Sequence, residues 1–475
     1  MGSVGAMRKV WIPLAAIAAA GVVAVPGTAV STPGSPPLKT AVFLGPSELK
    51  PSNIVLAMHR VRTAGATAVR LPLSWRSVAP ARRPPGFQPT DPADPAYNWS
   101  APDRMISKAR AAGIEPLVTV YAAPDWAGGT HVDAKQFGLF ARAAARRYSG
   151  SFHGLPRVRR WLAFNEPNLA KYLSPQYKRG RLVSAIRYRK MVNAFAAAVR
   201  RVHRDNVVVA GLLAPLNTPT GPGALKFMRA ALCVSGGKHP HPTCRTRVSF
   251  DIWSVHPYTS GGPMHRAHGN DGAALGNLPE ARKLLRAAVR AGHVRSNRPA
   301  RLWVTEFSWD SRPPDPLGVP VRLEARWVAE ALYRTWKARV GLLTWFQLRD
   351  EPLQRTPYQS GLYFKGKSFA AARPKPALTA FRFPFVAYKR GSKVYVWGRI
   401  PRGEHRGVEI QRSSGGGWKR VGVLQPNAGG VFFHTYRLHA RSSWFLRAEL
   451  TGGSKKSLRF SLRRSRDHYY PSFGS

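Results

Sequence analysis

Two glutamates stand directly after short apolar runs in a chain that has few carboxylates. Only 23 of the 475 residues are Asp or Glu, yet Glu166 follows residues 161–165 and Glu306 follows residues 302–305. Two carboxyl groups about 5–5.5 Å apart can cleave a glycosidic bond with retention of configuration. One of them protonates the departing oxygen while the other, ionised, attacks the anomeric carbon. Glu166 and Glu306 could perform this chemistry if the fold brings them together; the competing interpretation is that each only pairs with an arginine.

The elements that must position these glutamates form a repeating strand–helix pattern from residue 39 to residue 384. Short apolar runs followed by helices are typical of parallel strands that are buried on both faces. The pattern predicts strands at 41–44, 69–71, 116–121, 160–164, 207–210, 252–255, 302–305 and 342–346. Eight such units predict an α/β fold, a (β/α)8 barrel. A doubly wound open sheet is the alternative, but no glycine-rich nucleotide loop follows the first strand.

The predicted barrel places the two glutamates at one mouth. In such barrels the functional side chains lie at the carboxyl ends of the strands. Glu166 follows the predicted fourth strand, and Glu306 follows the predicted seventh strand. We therefore expect both carboxylates to emerge at the same end of the barrel.

The residues around these glutamates resemble the motifs of a known enzyme group. Asn165-Glu166-Pro167 after the fourth strand and Thr305-Glu306 after the seventh are similar to glycoside hydrolase clan A, which includes families 5 and 39. The resemblance covers residues 39–384. It implies a retaining glycosidase (EC 3.2.1) in which Glu166 is the general acid/base and Glu306 is the nucleophile. It implies neither a metal nor an organic cofactor.

The same resemblance assigns substrate-binding roles to further residues near the strand ends. Arg70 would support the nucleophile, Asn165 would bind the sugar 2-hydroxyl, and Tyr258 would hydrogen-bond the nucleophile. Trp345 would stack under the sugar ring, and His256 lies in the same segment as Tyr258. From the residues alone, Arg70 could simply neutralise a carboxylate, while His256 and Trp345 could belong to the core.

The segment after the third strand departs from the family 5 pattern. That family often has a histidine there, whereas this chain has Tyr121 and, five residues later, Trp126. Tyr121 and Trp126 are therefore the candidates to line the pocket. After the eighth strand, Asp350 and Glu351 are expected to form salt bridges with neighbouring arginines rather than to act in catalysis.

Residues 385–475 change to an antiparallel pattern. Strands predicted at 394–398, 408–412, 431–438 and 444–448 are separated by glycine-rich turns. This predicts a small all-β sandwich domain with a basic tail from residue 463. We expect its aromatic residues to form a core rather than a sugar-binding face.

The first 29 residues have the features of a secretory signal peptide. A basic pair at residues 8–9 precedes an apolar run at residues 10–25, and small residues precede the expected cleavage after Ala29. Residues 30–38 follow as a linker rich in Ser, Thr, Pro and Gly. We expect a secreted, extracellular protein, with an uncleaved membrane anchor as the alternative. No later segment is long and apolar enough to span a membrane.

The chain has two cysteines, Cys233 and Cys244. In an exported protein a disulfide between them is favoured. Free thiols are the second alternative, and a zinc site that includes His239 and His241 is the third. The zinc site is disfavoured because this spacing in a loop rich in Gly and Pro is not typical of zinc ligands.

The formal net charge of +51 comes mainly from arginines spread along the whole chain. Since no nucleic-acid-binding motif accompanies them, a specific nucleic-acid partner is not predicted. The charge reflects either an arginine-rich composition with a solvated surface, or attraction to an anionic cell wall or acidic glycan. We expect a monomer that acts on a carbohydrate substrate. The alternative function is a barrel that binds glycan or cell wall and has lost catalysis.

Overall fold

The computed structural model describes residues 29–30, 37–215, 218, 221–354, 356, 358–453, 455–463 and 470. All but the last residue of the predicted signal peptide, most of the linker and most of the basic tail lie outside these residues. Within the described part of the chain, no helix combines the length and the apolar character needed to cross a membrane.

Eight parallel strands close into a barrel. They are β1 (Lys39–Phe43), β2 (Ala68–Ser74), β3 (Glu115–Tyr121), β4 (Arg160–Ala163), β5 (Val207–Leu213), β6 (Ile252–Val255), β7 (Arg301–Phe307) and β8 (Leu342–Trp345). Each strand pairs with the next one along the chain, and β8 closes the ring on β1, where Leu342 lies opposite Lys39. The predicted (β/α)8 barrel is confirmed, and the alternative of an open sheet is wrong.

Helices connect most of the strands and form the outer layer. They are α1 (Ile54–Thr63), α2 (Trp75–Val78), α3 (Ser100–Ala111), α4 (Ala134–Arg147), α5 (Ser184–Val202), α6 (Ala224–Leu232), α7 (Leu278–Arg290), α8 (Val321–Lys337) and α9 (Pro376–Arg382). Short 3₁₀ helices lie at Asp125–Ala127, Gly129–His131 and Leu275–Asn277. Two-residue strands lie at Ala29–Val30, Tyr177–Lys178, Arg181–Leu182, Val248–Ser249, Val294–Arg295, Ser311–Arg312, Val319–Pro320 and Phe460–Ser461.

The strand side chains divide into two layers because successive residues of a strand point to opposite faces. One set, which includes Leu117 and Leu162, forms a separate cluster inside the barrel, and the other packs against the helices. Thr119 follows Leu117 at a spacing of two on β3 and therefore faces inward as well. Arg70 of β2 donates a hydrogen bond to the Thr119 hydroxyl, so the apolar interior gives way to polar groups toward the mouth.

Helix α7 shows how the sequence pattern produces the outer layer. Ala281, Leu285 and Ala288 are buried, whereas Arg286 and Arg290 are exposed. Apolar residues three and four positions apart lie on one face of a helix, so this face packs on the barrel and the arginines point outward.

Two antiparallel sheets follow the barrel and confirm the predicted sandwich. The strands are β9 (Phe385–Arg390), β10 (Lys393–Arg399), β11 (Val408–Ser413), β12 (Lys419–Gln425), β13 (Val431–Arg437) and β14 (Phe445–Leu450). One sheet has the order β9-β10-β13, and the other is centred on β12-β11-β14. Trp397 of β10 is fully buried and packs against Tyr333 and Trp336 of α8, with ring centroids 5.5 and 5.6 Å away. The first sheet is thus attached to the barrel by its aromatic residues.

Candidate active site

A cavity of about 720 Å³ opens at the carboxyl ends of the barrel strands, a size typical of small-ligand sites. Side chains from strands β1, β2, β3 and β7 and from the loops after β1, β4, β5, β6 and β8 line it. They include Phe43, Ser47, Lys50, Arg70, Thr119, Tyr121, Asn165, Glu166, Tyr172, Tyr258, Glu306, Phe346, Gln347, Glu351 and Tyr358. Both predicted glutamates therefore lie in one pocket.

Glu166 occupies an unusual backbone conformation at the end of β4. Its φ is 43°, and Phe164 two residues earlier has φ 75°. Residues other than glycine rarely adopt this left-handed backbone conformation. The Glu166 N–H donates to the Leu212 carbonyl at 3.0 Å. The Asn168 side chain forms two hydrogen bonds of 2.9 Å with the Ala214 backbone. Its Nδ2 donates to the Ala214 carbonyl, and its Oδ1 accepts from the Ala214 N–H. These contacts with the end of β5 and the loop after it hold Glu166 in the cavity.

Glu306 is held by two donors at the end of β7. The Arg70 guanidinium donates to one carboxylate oxygen, and the Tyr258 hydroxyl donates to the other at 2.8 Å. Arg70 also donates to the Asn165 side-chain oxygen at 2.6 Å and to the Thr305 carbonyl at 3.2 Å. Since its side chain is only 2 % exposed, Arg70 is a fixed cation beneath the cavity.

The balance of burial and charge favours the ionised form of Glu306. Burial alone would raise the pKa of this carboxyl group, because the charged form is poorly solvated. The charges of His256 and Arg70 and the hydrogen bonds from Tyr258 and Arg70 outweigh it, so the pKa of Glu306 lies below its usual value. An ionised carboxylate at this position is suited to act as a nucleophile.

His256 joins the two carboxylates from below. Its Nδ1 lies 3.1 Å from Glu166 Oε1 and 3.7 Å from Glu306 Oε2, and its Nε2 lies 3.1 Å from the Thr305 hydroxyl. The ring is fully buried. His256 therefore contacts the two catalytic candidates and does not line the cavity. It is buried like a core histidine, but its neighbours are the residues predicted to react with the substrate.

The separation of the two carboxylates fits the geometry of a retaining glycosidase. One oxygen of Glu166 and one of Glu306 lie within 4.8 Å of each other, close to the separation of about 5–5.5 Å typical of retaining enzymes. Together with His256 these oxygens could also be metal ligands. However, both Glu306 oxygens already accept hydrogen bonds, and the Arg70 guanidinium beside them would repel a divalent cation.

Four of the predicted substrate contacts line the cavity: Arg70, Tyr121, Asn165 and Tyr258. Burial raises the pKa of Tyr121, and burial together with the Glu306 charge raises that of Tyr258. Both hydroxyls therefore stay protonated and able to donate hydrogen bonds. The hydrogen bond that Arg70 donates to the Asn165 side-chain oxygen fixes the position of Asn165.

Trp345 does not lie under the cavity, which corrects the sequence prediction. Its side chain is buried between the barrel and the helices, where Nε1 donates to the Ser360 carbonyl at 2.8 Å. The next residue, Phe346, lines the cavity and stacks on Phe43 with ring centroids 5.0 Å apart. Neighbouring side chains of a strand point to opposite faces. A shift of one residue therefore decides whether a side chain packs against the helices or lines the cavity.

Trp126 is also placed differently from the prediction. Its Nε1 donates to the Pro80 carbonyl at 2.9 Å, and its ring packs edge-on against Trp75 and Phe87. It is not among the residues that line the cavity. Trp126 therefore attaches the loop after β3 to the segment after β2.

The acidic pair after β8 forms other contacts than the expected salt bridges with arginines. Asp350 pairs with Lys375 at 2.7 Å, and both side chains are fully buried. Glu351 lines the cavity and accepts a hydrogen bond of 2.7 Å from the Ser47 hydroxyl. Ser47 also donates to Glu48 at 3.1 Å, so it connects the loops after β1 and β8.

Sequence analysis missed the loop residues of the cavity. Tyr172 follows β4 and Tyr358 follows β8, and both line the cavity. Burial and the charges of Glu166 and Glu306 raise the pKa of both tyrosines. No sequence pattern singled them out, because each lies in an irregular segment whose path depends on the folded barrel.

Cys233 and Cys244 are joined by a disulfide that closes the loop after α6. His239 and His241 in this loop are exposed. The His241 Nδ1 lies 2.9 Å from the Ser235 hydroxyl, so a local hydrogen bond occupies one nitrogen of the histidine considered for zinc.

Comparison with known structures gives the fold of the chain a family context. A family 39 glycoside hydrolase from Bacteroides cellulosilyticus WH2 matches at a TM-score of 0.51 and 16% identity, covering 84% of this chain and 81% of that one. A family 39 β-xylosidase from Caulobacter crescentus matches at 0.50 and 15%, covering 89% and 98%. The chain shares their fold. The fold that the resemblance to clan A implies is confirmed.

The similarity to known proteins is detected in the structure and not in the sequence. No protein-family model and no curated protein matches the sequence. At these identities the solved structures support the architecture of barrel and following sheets, while the activity has to be argued from the residues of the pocket.

Proposed function

We propose that this protein is a retaining glycoside hydrolase that cleaves O-glycosidic bonds of oligo- or polysaccharides by double displacement. The observation that carries the proposal is the carboxylate pair in the barrel mouth, with oxygens of Glu166 and Glu306 within 4.8 Å of each other. The unequal surroundings of the two groups support unequal roles. Glu306 is held ionised by Arg70 and Tyr258, whereas Glu166 Oε1 lies 3.1 Å from the His256 Nδ1.

In the first step, one Glu306 oxygen attacks the anomeric carbon. The bond between that carbon and the leaving oxygen breaks, and the Glu166 carboxyl group transfers its proton to the leaving oxygen. A glycosyl ester of Glu306 results. Asn165, fixed by Arg70 at 2.6 Å, is placed to hydrogen-bond the sugar as charge develops at the reacting carbon.

In the second step, Glu166 acts as a base. It removes a proton from water, whose oxygen attacks the anomeric carbon, and the ester bond to Glu306 breaks. Glu166 is protonated again and Glu306 is again a carboxylate. Two inversions at one carbon leave the configuration of the sugar unchanged. Apart from the substrate and one water molecule, the side chains of Glu166 and Glu306 account for every bond and proton in the two steps.

Secretion belongs to the same proposal. The support is the signal-like sequence of the first 29 residues. We propose a monomeric extracellular enzyme that associates with anionic cell-wall or acidic glycan material. The N-terminal residue of the exported protein, determined by peptide sequencing, tests the expected cleavage after Ala29.

A panel of aryl glycosides tests the activity, starting with a β-xyloside because one of the similar structures is a β-xylosidase. We expect release of the chromophore and a first-formed sugar of unchanged configuration by NMR. Glu166→Ala should slow substrates with poor leaving groups by about 10²–10⁴-fold and activated ones far less, since a good leaving group needs no proton. Inversion of configuration would exclude double displacement. No release from any glycoside would instead support a barrel that only binds glycan.

A further inference from the structure

Two adjoining grooves run along the outside of the barrel, away from the mouth. The first lies between α7 and α8 and has a volume of about 690 Å³. The second lies between α8 and strand β9 of the sandwich and has a volume of about 1050 Å³. Both are lined by Met264, Arg334 and Lys337, so they form one depression, which we call the basic groove.

One wall of the basic groove carries a row of arginines. Arg282, Arg286 and Arg290 of α7 are four positions apart and therefore lie on one helix face. A helix rises about 6 Å over four residues, so three guanidinium groups follow one another along the groove. Burial and the charges of Arg286 and Arg339 lower the pKa of Arg282, which reflects the crowding of cations here.

The opposite wall is also cationic, and a single carboxylate of α8 lies among the described residues that line it. Arg334 and Lys337 of α8 face the α7 row across the first groove. Among the described residues that line either groove, Glu330 bears the only carboxylate; it pairs with Arg326, and its charge also interacts with that of Arg334. In the described part of the chain, no carboxylate lies within ion-pair distance of the three α7 arginines, Arg334 or Lys337.

This arrangement is unfavourable unless an anion enters it. Like charges on two walls of a concave surface repel each other, and the low dielectric constant of the walls strengthens the repulsion. An anionic chain that lies along the groove would replace this repulsion with a row of ion pairs. The net charge of +51 makes most of the surface cationic, but here the cations face one another around a cavity.

The walls favour a chain recognised by its charge rather than by its rings. Trp327 and Tyr333 in the second groove are buried, and Tyr388 packs between Tyr333 and Phe460. The first groove has no aromatic residue in its lining. Stacking of nucleobases on aromatic side chains, which is common in proteins that bind single-stranded nucleic acid, is therefore not provided.

We propose that the basic groove binds a linear acidic polysaccharide, whose repeating carboxylate or sulfate groups pair with the rows on α7 and α8. This site is separate from the barrel mouth. It would hold the protein on an anionic polymer whether or not that polymer is the one that is cleaved.

The test compares two triple variants in a Glu306→Gln background, so that no polymer is cleaved during the measurement. Arg286→Gln, Arg290→Gln and Lys337→Gln remove two exposed arginines and one exposed lysine from the groove. The matched control removes the same residue types from the opposite side of the barrel, through Arg62→Gln, Arg110→Gln and Lys108→Gln, which are also exposed.

The probe is polygalacturonate, with heparin as a sulfated acidic glycan and a DNA oligonucleotide as the competing polymer class. By titration calorimetry, we expect the groove variant to bind both glycans about tenfold more weakly. The slope of log Kd against log salt concentration should fall by about two to three, one for each lost contact. The control should change Kd less than about twofold, and Arg286→Lys with Arg290→Lys should restore binding, since charge is retained.

Equal weakening in the groove and control variants would overturn the proposal, because net charge alone would then explain binding. Tighter binding of DNA than of either glycan, with the same dependence on the groove residues, would assign the groove to nucleic acid instead. Unchanged melting temperatures show that the variants are folded. Hydrolysis of aryl glycosides, measured separately with Glu306 intact, reports on the mouth alone, so the proposed catalysis and the proposed binding in the groove fail independently.

Discussion

The barrel mouth and the basic groove both concentrate cations, but they differ in whether those cations have partners. At the mouth, Arg70 is 2 % exposed and contacts Glu306 and Asn165. In the groove, Arg286 and Arg290 are exposed and lie beyond ion-pair distance of any carboxylate in the described residues. An arginine next to a buried carboxylate favours the ionised form of that carboxylate. Unpaired arginines around a cavity instead create a positive potential that attracts an anion from solution.

The comparison extends to two buried glutamates. Glu306 has fixed donors, and its pKa is lowered. Glu324 of α8 is fully buried, and neither of its oxygens has a hydrogen-bond partner among the described residues. Burial, reinforced by the charges of Asp350 and Asp310, raises its pKa to about 8 despite the opposing charge of Lys375. Burial acts in the same direction on both groups, so the partners decide the outcome.

The largest expected effect comes from removing the charge of Glu306. Glu306→Gln keeps the side-chain volume but cannot form the glycosyl ester, so kcat on aryl glycosides should fall by about 10⁴-fold. Glu324→Gln is the matched control, a buried glutamate changed in the same way outside the mouth, and should retain activity. Normal turnover by Glu306→Gln would end the assignment of this residue as nucleophile.

The second effect is a dependence of stability on pH through Glu324. A carboxyl group whose pKa is higher in the folded chain than in the unfolded chain binds its proton more tightly when folded. Its contribution is therefore full at low pH and is lost as the pH rises from about 4.5 to about 8. Glu324→Gln should be more stable than the original chain above pH 8, by up to about 5 kcal/mol, and the difference should vanish near pH 4. Thermal melts across this range measure it; a constant difference would contradict the assignment.

The third effect sharpens the role of the donors at the mouth. Tyr258→Phe removes the hydroxyl that donates to Glu306 at 2.8 Å, and kcat/KM should fall by about 10–100-fold. Since this hydrogen bond lowers the pKa of Glu306, its loss should raise that pKa. The acidic limb of the pH profile of kcat/KM should then move to higher pH. A lower rate with an unmoved limb would mean that Tyr258 acts on the substrate alone.

The smallest effect separates two neighbouring aromatic residues. Phe346→Ala removes a ring from the cavity wall and should raise KM by about tenfold, if the ring packs on the sugar. Trp345→Phe keeps a ring in the outer layer but removes the donor to the Ser360 carbonyl. It should lower the melting temperature by a few degrees and leave KM within about twofold. A larger rise of KM in Trp345→Phe than in Phe346→Ala would indicate that Trp345, not Phe346, contacts the sugar.

Much of the fold could be predicted because its causes are local. The apolar run before Glu166 and the one before Glu306 are long enough for a strand and are followed by helical patterns, so strand order and the shared mouth followed from the repeat. The face that a terminal residue occupies did not follow, as Trp345 and Phe346 show. There the exact end of β8 and the twist of the closed barrel decide which ring enters the pocket.

The sequence by itself determined the repeat of eight strands and helices, the two glutamates at strand ends and the excess of basic residues, since these depend on residue types and short spacings. Only the tertiary structure decided that Arg70 and Tyr258 both reach Glu306, that Tyr172 and Tyr358 enter the cavity, and that cations of two different helices face one another. Such contacts join residues far apart in the chain. Their geometry depends on how the helices pack around the barrel, which no local pattern encodes.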